Sequence, residues 1–148
     1  AYVAKEVISM PAPNLWHHPY GFGTLGYALP AAIGAAVGKP DEPIVVIVGD
    51  YGFQYTLPEL ATAVELNLSL PIVLWDNGKL KEIEDSMLSA QIAPNAVISK
   101  NPNFCKLAEA YGIVFTEPEN IKDFQNSIVE AFSRDGPTLI YLKSEISF

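Results

Sequence analysis

Two unbroken apolar runs, Ile44–Gly49 (IVVIVG) and Pro71–Trp75 (PIVLW), frame the middle of the chain and read as strands buried on both faces. Between them Leu57, Leu60, Ala61, Val64 and Leu68 recur at helical spacing and make one apolar face. Thr56 and Glu59 have the spacing of a capping box at the start of that helix, and Pro58 falls among the first N–H positions, which need no intrahelical partner. Asp50–Tyr55 reads as the polar turn that leads in. Upstream, Ala31, Ala32, Gly34, Ala35 and Ala36 make a thin helix behind Pro30, stopped by Gly38 and Pro40. Downstream, Asn101 is placed to cap a helix with Pro102 at its first position and Phe104, Leu107, Ala108 and Tyr111 facing the core before Gly112. Ile113–Thr116 is a strand. Asn120 caps a last helix with Ile121, Phe124, Ile128, Ala131 and Phe132 inward, Gly136-Pro137 stops it, and Thr138–Leu142 is the final strand.

Strands alternating with helices through short links predict an α/β three-layer sandwich, a mainly parallel sheet with helices on both faces. Right-handed crossovers put every strand's C-terminal end on one edge, where such sheets bind ligands. Two stretches depart from the pattern. Residues 1–20, with Pro11, Pro13, Pro19 and the aromatics Trp16 and Tyr20, read as an irregular lead-in whose apolar groups want a partner surface. Asp76–Lys100 is a long mixed connection with a short helix near Leu80–Met87, and a connection of that length is usually functional.

Composition narrows the classes. The 148 residues fit one domain, and a net charge of −8 excludes the basic surface a nucleic-acid binder needs. The single cysteine, Cys105, allows no intrachain disulfide; it suits a reducing, cytoplasmic setting and reads as a small buried hydrophobe. The longest uncharged apolar runs, Tyr27–Gly38 and Ile44–Gly49, are too short to span a bilayer. A start at Ala1 without Met and an abrupt end at Phe148 raise the expectation of a piece of something longer.

The chemistry gathers at two strand ends. Asp50 follows one apolar run, and Asp76 and Asn77 follow the next. Neighbouring parallel strands lie about 4.8 Å apart, so Asp50 and Asn77 can reach one small cation if the two strands are adjacent. Mg²⁺ takes oxygen ligands and shares its shell with substrate phosphates. Backbone N–H groups at Gly52 and the following helix start suit phosphate oxygens. The plain alternative is that Asp50 and Asn77-Gly78 are only turn formers.

A rival comes from GFGTLG, Gly21–Gly26, formally a G-x-G-x-x-G dinucleotide fingerprint with Asp50 at a later strand end. Its context fails, because the fingerprint must follow a buried strand and Asn14–Tyr20 is polar, aromatic and proline-broken. His17 and His18 are either substrate-facing or ordinary loop residues, and without further His or Cys nearby they do not suggest zinc. Glu82, Glu84 and Asp85 form either a solvated helix face or, at Glu82, a carboxylate for a cationic substrate tail such as a guanidino or amino group.

Gly49-Asp50-Tyr51 with Asp76-Asn77, together with GTLGYALPAAIGA (Gly23–Ala35) and ELATAVELNL (Glu59–Leu68), resembles the diphosphate-binding (PP) domain of thiamine-diphosphate enzymes of the 2-oxo acid decarboxylase and acetohydroxyacid synthase group. That family's signature is Gly-Asp-Gly followed at a distance by Asn-Asn; here Tyr51 replaces the third glycine and Asp76 the first asparagine. The resemblance runs from Gly21 through residue 148. It implies Mg²⁺ held by Asp50, Asn77 and the Lys79 carbonyl. It implies a diphosphate met by the N–H groups of Tyr51, Gly52, Leu80 and Lys81 beside Gly49. Gly23 would accept from the aminopyrimidine, next to Thr24, and Leu25 would be the wedge that bends the cofactor. The implied reaction cleaves the bond next to the keto group of a 2-oxo acid, as decarboxylation or ligation. The activating glutamate, and the PYR and central domains, would lie elsewhere, with a PYR domain from a second subunit completing the site in a homodimer or homotetramer. On this reading the chain has no catalytic residue of its own and is inactive in isolation; a non-catalytic module of the same fold remains the other class.

Overall fold

The apolar runs become a single sheet of four parallel strands in a computed structural model that describes residues 2–98 and 100–144. Its strands are β1 (Val46–Gly49), β2 (Pro71–Asp76), β3 (Val114–Thr116) and β4 (Thr138–Lys143), in the spatial order β1-β2-β4-β3. Successive strand side chains face opposite ways. Val46, Val48, Ile72, Leu74, Leu139 and Tyr141 share one face and form the main core. Packed on that face are helices α2 (Ala28–Gly38), α3 (Asp50–Tyr55), α4 (Glu59–Glu65) and α6 (Phe104–Tyr111). Val73, Ile140 and Leu142 lie on the opposite face, where α7 (Ile121–Phe132) packs across β2 and β4. The expected three layers are therefore present.

Several local expectations change. The lead-in is not wholly irregular, since α1 occupies Tyr2–Val7. Asp50–Tyr55 is not a polar turn but helix α3, with Gly49 as its extended N-cap residue. Because α3 takes those residues, α4 starts only at Glu59 and the capping box does not form; the Thr56 hydroxyl donates instead to the Gly26 carbonyl at 3.0 Å. Asn103, not Asn101, caps α6, accepting from the Lys106 N–H at 2.9 Å. In α7 the Asn120 cap forms as expected, whereas Ile121 is exposed and only Ala131 is fully buried. Cys105 is half-buried, its thiol 4.0 Å from Glu109 Oε1.

The long connection after β2 carries α5 (Lys81–Ser89) and is clasped at its base. The Leu80 N–H donates to the Val97 carbonyl at 2.8 Å, and Lys79 pairs with Ile98 in an antiparallel bridge. Among the described residues no helix is long and apolar enough to cross a membrane.

Candidate functional site

β1 and β2 are neighbours with Gly49 opposite Trp75, so the next step along each strand sets Asp50 beside Asp76 at the C-terminal edge. Asp76 continues the face of Ile72 and Leu74, and Asn77 follows it at the start of the turn. Asp50 is only 3% exposed. The two carboxylates are joined by Asn101, whose Nδ2 donates to Asp50 Oδ2 at 2.6 Å and to Asp76 Oδ1 at 2.8 Å. Its Oδ1 accepts from Gln54 Nε2 at 3.1 Å, and the same Gln54 nitrogen donates to the Asp50 carbonyl at 3.0 Å. The orientation of the amide is dictated by charge, since reversing it would set a carbonyl oxygen against two carboxylates.

Asp76 has further donors. Its Oδ1 also accepts from the Gly78 N–H at 2.9 Å, and its Oδ2 from the Tyr141 hydroxyl at 2.7 Å. Tyr141 is carried into place by an aromatic file, with Phe104 and Phe115 each 5.8 Å from its ring. Burial, followed by donation to Asp76 and that group's charge, pushes the Tyr141 phenol well above its ordinary value. Burial likewise pushes the Asp50 carboxyl up. The Asn101 donor opposes that rise, the Asp76 charge adds to it, and the Tyr51 N–H opposes it. A nearby cation would favour the charged form of Asp50.

The lysines nearest in sequence are committed elsewhere: Lys79 Nζ lies 2.8 Å from Glu84, and Lys81 pairs with Asp85. Two carboxylates meet here and the Asn77 carboxamide lies on the turn that follows, and carboxylate and carboxamide oxygens are the donor type a hard cation takes. Among the described residues no group of three or more His, Cys, Asp or Glu side chains is gathered for a metal, so a cation here needs carboxamide and carbonyl oxygens as well.

The remaining candidates fall on the same edge or its rim. Asn77 Oδ1 accepts from the Lys79 N–H at 3.2 Å, and Lys79 and Leu80 form the clasp. Gly49 ends β1, and Lys81 is the exposed first residue of α5. The buried hydroxyl of Tyr51 has no hydrogen-bond partner among the described residues. A Cβ at Gly52 would lie 3.8 Å from Leu25 Cδ2 and 3.9 Å from the Gly26 nitrogen, so the Gly23–Gly26 loop rests directly on the start of α3. Gly26 takes φ +87°, and a Cβ there would come within 2.9 Å of Thr56 Cγ2. Thr24 is exposed and Gly23 partly covered on this loop.

His17 is exposed; His18 stacks near Tyr20 with ring centroids 5.3 Å apart, and burial together with the Lys5 charge lowers its pKa. No strand precedes Gly21 among the described residues, so a dinucleotide fingerprint lacks its required context. Sequence reasoning missed Asn101, Gln54 and Tyr141. Gln54 sits one helical turn after Asp50, a spacing that was available to read; the other two are brought in by the tertiary fold alone.

Comparisons with known proteins converge on one family. Residues 1–142 match the family described as thiamine pyrophosphate enzyme, C-terminal TPP binding domain. The chain is 44% identical over 144 residues to a Pseudomonas aeruginosa protein named "Probable 2-ketoarginine decarboxylase AruI", covering 97% of this chain and 26% of that protein. It is 34% identical over 128 residues to the acetolactate synthase large subunit of Porphyra purpurea, covering 84% of this chain and 22% of that one. Among solved structures it resembles a Rhodococcus jostii thiamine diphosphate-dependent 4-hydroxybenzoylformate decarboxylase, with TM-score 0.76 and 27% identity over 84% of this chain and 24% of that chain. The benzoylformate decarboxylase of Polynucleobacter necessarius has the same fold, with TM-score 0.76 at 24% identity over 82% of this chain and 24% of that chain. The chain thus spans about a quarter of the length of the relatives it matches.

Proposed function

This chain belongs to the thiamine pyrophosphate enzyme family as its C-terminal TPP-binding domain, and from that premise we propose that it holds thiamine diphosphate through Mg²⁺ within a 2-oxo acid decarboxylase or acetolactate synthase-like enzyme. The observation that carries the Mg²⁺ reading is the buried Asp50–Asp76 corner, where two carboxylates share one neutral amide. Asp50 and Asn77 would hold the cation through side-chain oxygens and Lys79 through its carbonyl. The N–H groups of Tyr51, Gly52 and Lys81 would meet the diphosphate; the Leu80 N–H, expected to join them, is instead committed to the Val97 carbonyl in the clasp. Gly23 would accept from the aminopyrimidine and Leu25 would press the cofactor into its bent form; the packing of Leu25 over Gly52 supports that pairing. Thiamine diphosphate, when bound, supplies the bond-breaking chemistry, and this chain's share is to bind and orient it.

The substrate we propose is a 2-oxo acid with a cationic side chain. Glu84 and Asp85 are each held by a lysine, whereas Glu82 is exposed and makes no ion pair among the described residues. The name of the Pseudomonas relative points to the same chemistry. His17 and His18, on the segment leading to Leu25, are the remaining candidate substrate contacts. The rim of the site is apolar and uncovered, with Phe22 98% and Tyr20 75% exposed, which supports a partner domain closing over it from a second subunit. By itself the 148-residue chain would then show no turnover.

Thermal melting tests the cofactor. A ligand at about 100 times its Kd stabilises by ~2.7 kcal/mol, so thiamine diphosphate with Mg²⁺ should raise the Tm, and NAD should not; a shift with NAD alone would reverse the reading. For the substrate, Glu82→Ala in the full enzyme should depress turnover of basic 2-oxo acids more than neutral ones. Equal loss on both would sink the role of Glu82.

A further inference from the structure

Asn101 stands where three separate stretches of chain meet. Its amide holds Asp50 from the end of β1 and Asp76 from the end of β2. It enters the site three residues after Ile98, whose bridge to Lys79 closes the clasp on the long connection. Each stretch carries one of the oxygens assigned above to the cation: Asp50 itself, Asn77 beside Asp76, and the carbonyl of Lys79. The amide nitrogen donates to both carboxylates and the amide oxygen accepts from Gln54. By fixing Asp50 Oδ2 it also fixes the direction taken by the other Asp50 oxygen. Asp76, with donors from Asn101, Gly78 and Tyr141, is held from three sides and serves as the anchor.

We propose that Asn101 is a positioning residue of the cation site, registering Asp50, the Asp76-Asn77 corner and the Lys79 clasp against one another. The inference rests on the Mg²⁺–thiamine diphosphate reading above. Partners that orient a metal's ligands without touching the metal typically contribute 10–100-fold to its affinity, and a network holding both carboxylates is the support such a site needs. A purely structural asparagine would instead affect stability and leave affinity alone.

The test is a Mg²⁺ titration of the purified full-length protein at saturating thiamine diphosphate, read as cofactor binding rather than turnover. Asn101→Ala should raise the apparent Mg²⁺ Kd by roughly 10–100-fold. Asn103→Ala is the control: it removes the α6 cap two residues away and touches neither carboxylate. It should lower the cofactor-free Tm and leave the Mg²⁺ Kd unchanged. An Asn101→Ala protein that binds Mg²⁺ within about twofold of wild type overturns the proposal. So does an Asn103→Ala protein with the same affinity loss, since the effect would then be general loosening of the loop. If Asn101→Ala does not fold, Asn101→Leu carries the test, because it keeps the side-chain volume while removing the N–H bonds to both carboxylates. A weakened Mg²⁺ affinity supports the proposal and an unchanged one refutes it. A wild type that binds thiamine diphosphate without regard to Mg²⁺ refutes the cation reading itself, a result distinct from any variant's.

Discussion

At the scale of single residues, the site is a balance between burial and donors. Asp50 was legible because it ends an apolar strand, where a carboxylate has little reason to be unless it is used. Asn101 was not, because it lies 51 residues from Asp50 in sequence and its neighbours Pro102 and Asn103 suggest a helix cap. Both asparagines can cap; the Lys106 N–H reaches Asn103, which releases Asn101 to the carboxylates. Tyr141 reads along the chain only as another apolar strand position, yet it donates to Asp76. A hydrogen bond to a charged group contributes about 1.5–3 kcal/mol, so Tyr141→Phe should destabilise by that order in denaturant melts. The pH dependence has a definite sign. The phenol titrates higher folded than unfolded, so its contribution is complete below the ordinary tyrosine value of 10.0 and is lost as pH rises toward the folded value. Stability of the wild type should therefore fall on the alkaline side, and Tyr141→Phe should flatten that fall. An unchanged alkaline slope would contradict the assignment.

At the scale of elements, strands and most helices followed from hydrophobic periodicity, while the boundaries that moved were set by contacts between distant segments. Thr56 and Glu59 have capping-box spacing, but α3 already occupies the preceding residues and the Thr56 hydroxyl goes to Gly26. That contact fastens the Gly23–Gly26 loop onto α3 and brings Leu25 over Gly52. Gly26 sits at φ +87° against Thr56 and Tyr55, a conformation and a space that a side chain does not fit. Gly26→Ala should cost about 1–2 kcal/mol from the backbone alone and weaken thiamine diphosphate binding by displacing Leu25. Calorimetric unfolding and cofactor titration read the two effects separately; a stable variant with unchanged binding would show that the loop is not fastened as described.

For the molecule as a whole, four parallel strands place the ends of β1 and β2 on one edge, with the long clasped connection beside them. The architecture and its ligand-binding edge were legible from alternation alone, since right-handed crossovers leave little choice. What alternation could not supply was which side chains beyond the strand ends would complete the corner, because that depends on the return path of the long connection.

The most direct measurement is calorimetric titration of thiamine diphosphate into the full-length protein, wild type and Asp50→Ala, with Mg²⁺ or with a chelator. Saturable binding by the wild type that requires Mg²⁺, weakened at least about tenfold in Asp50→Ala, is the predicted result. Binding of equal strength in both proteins, or binding indifferent to the chelator, would contradict the account.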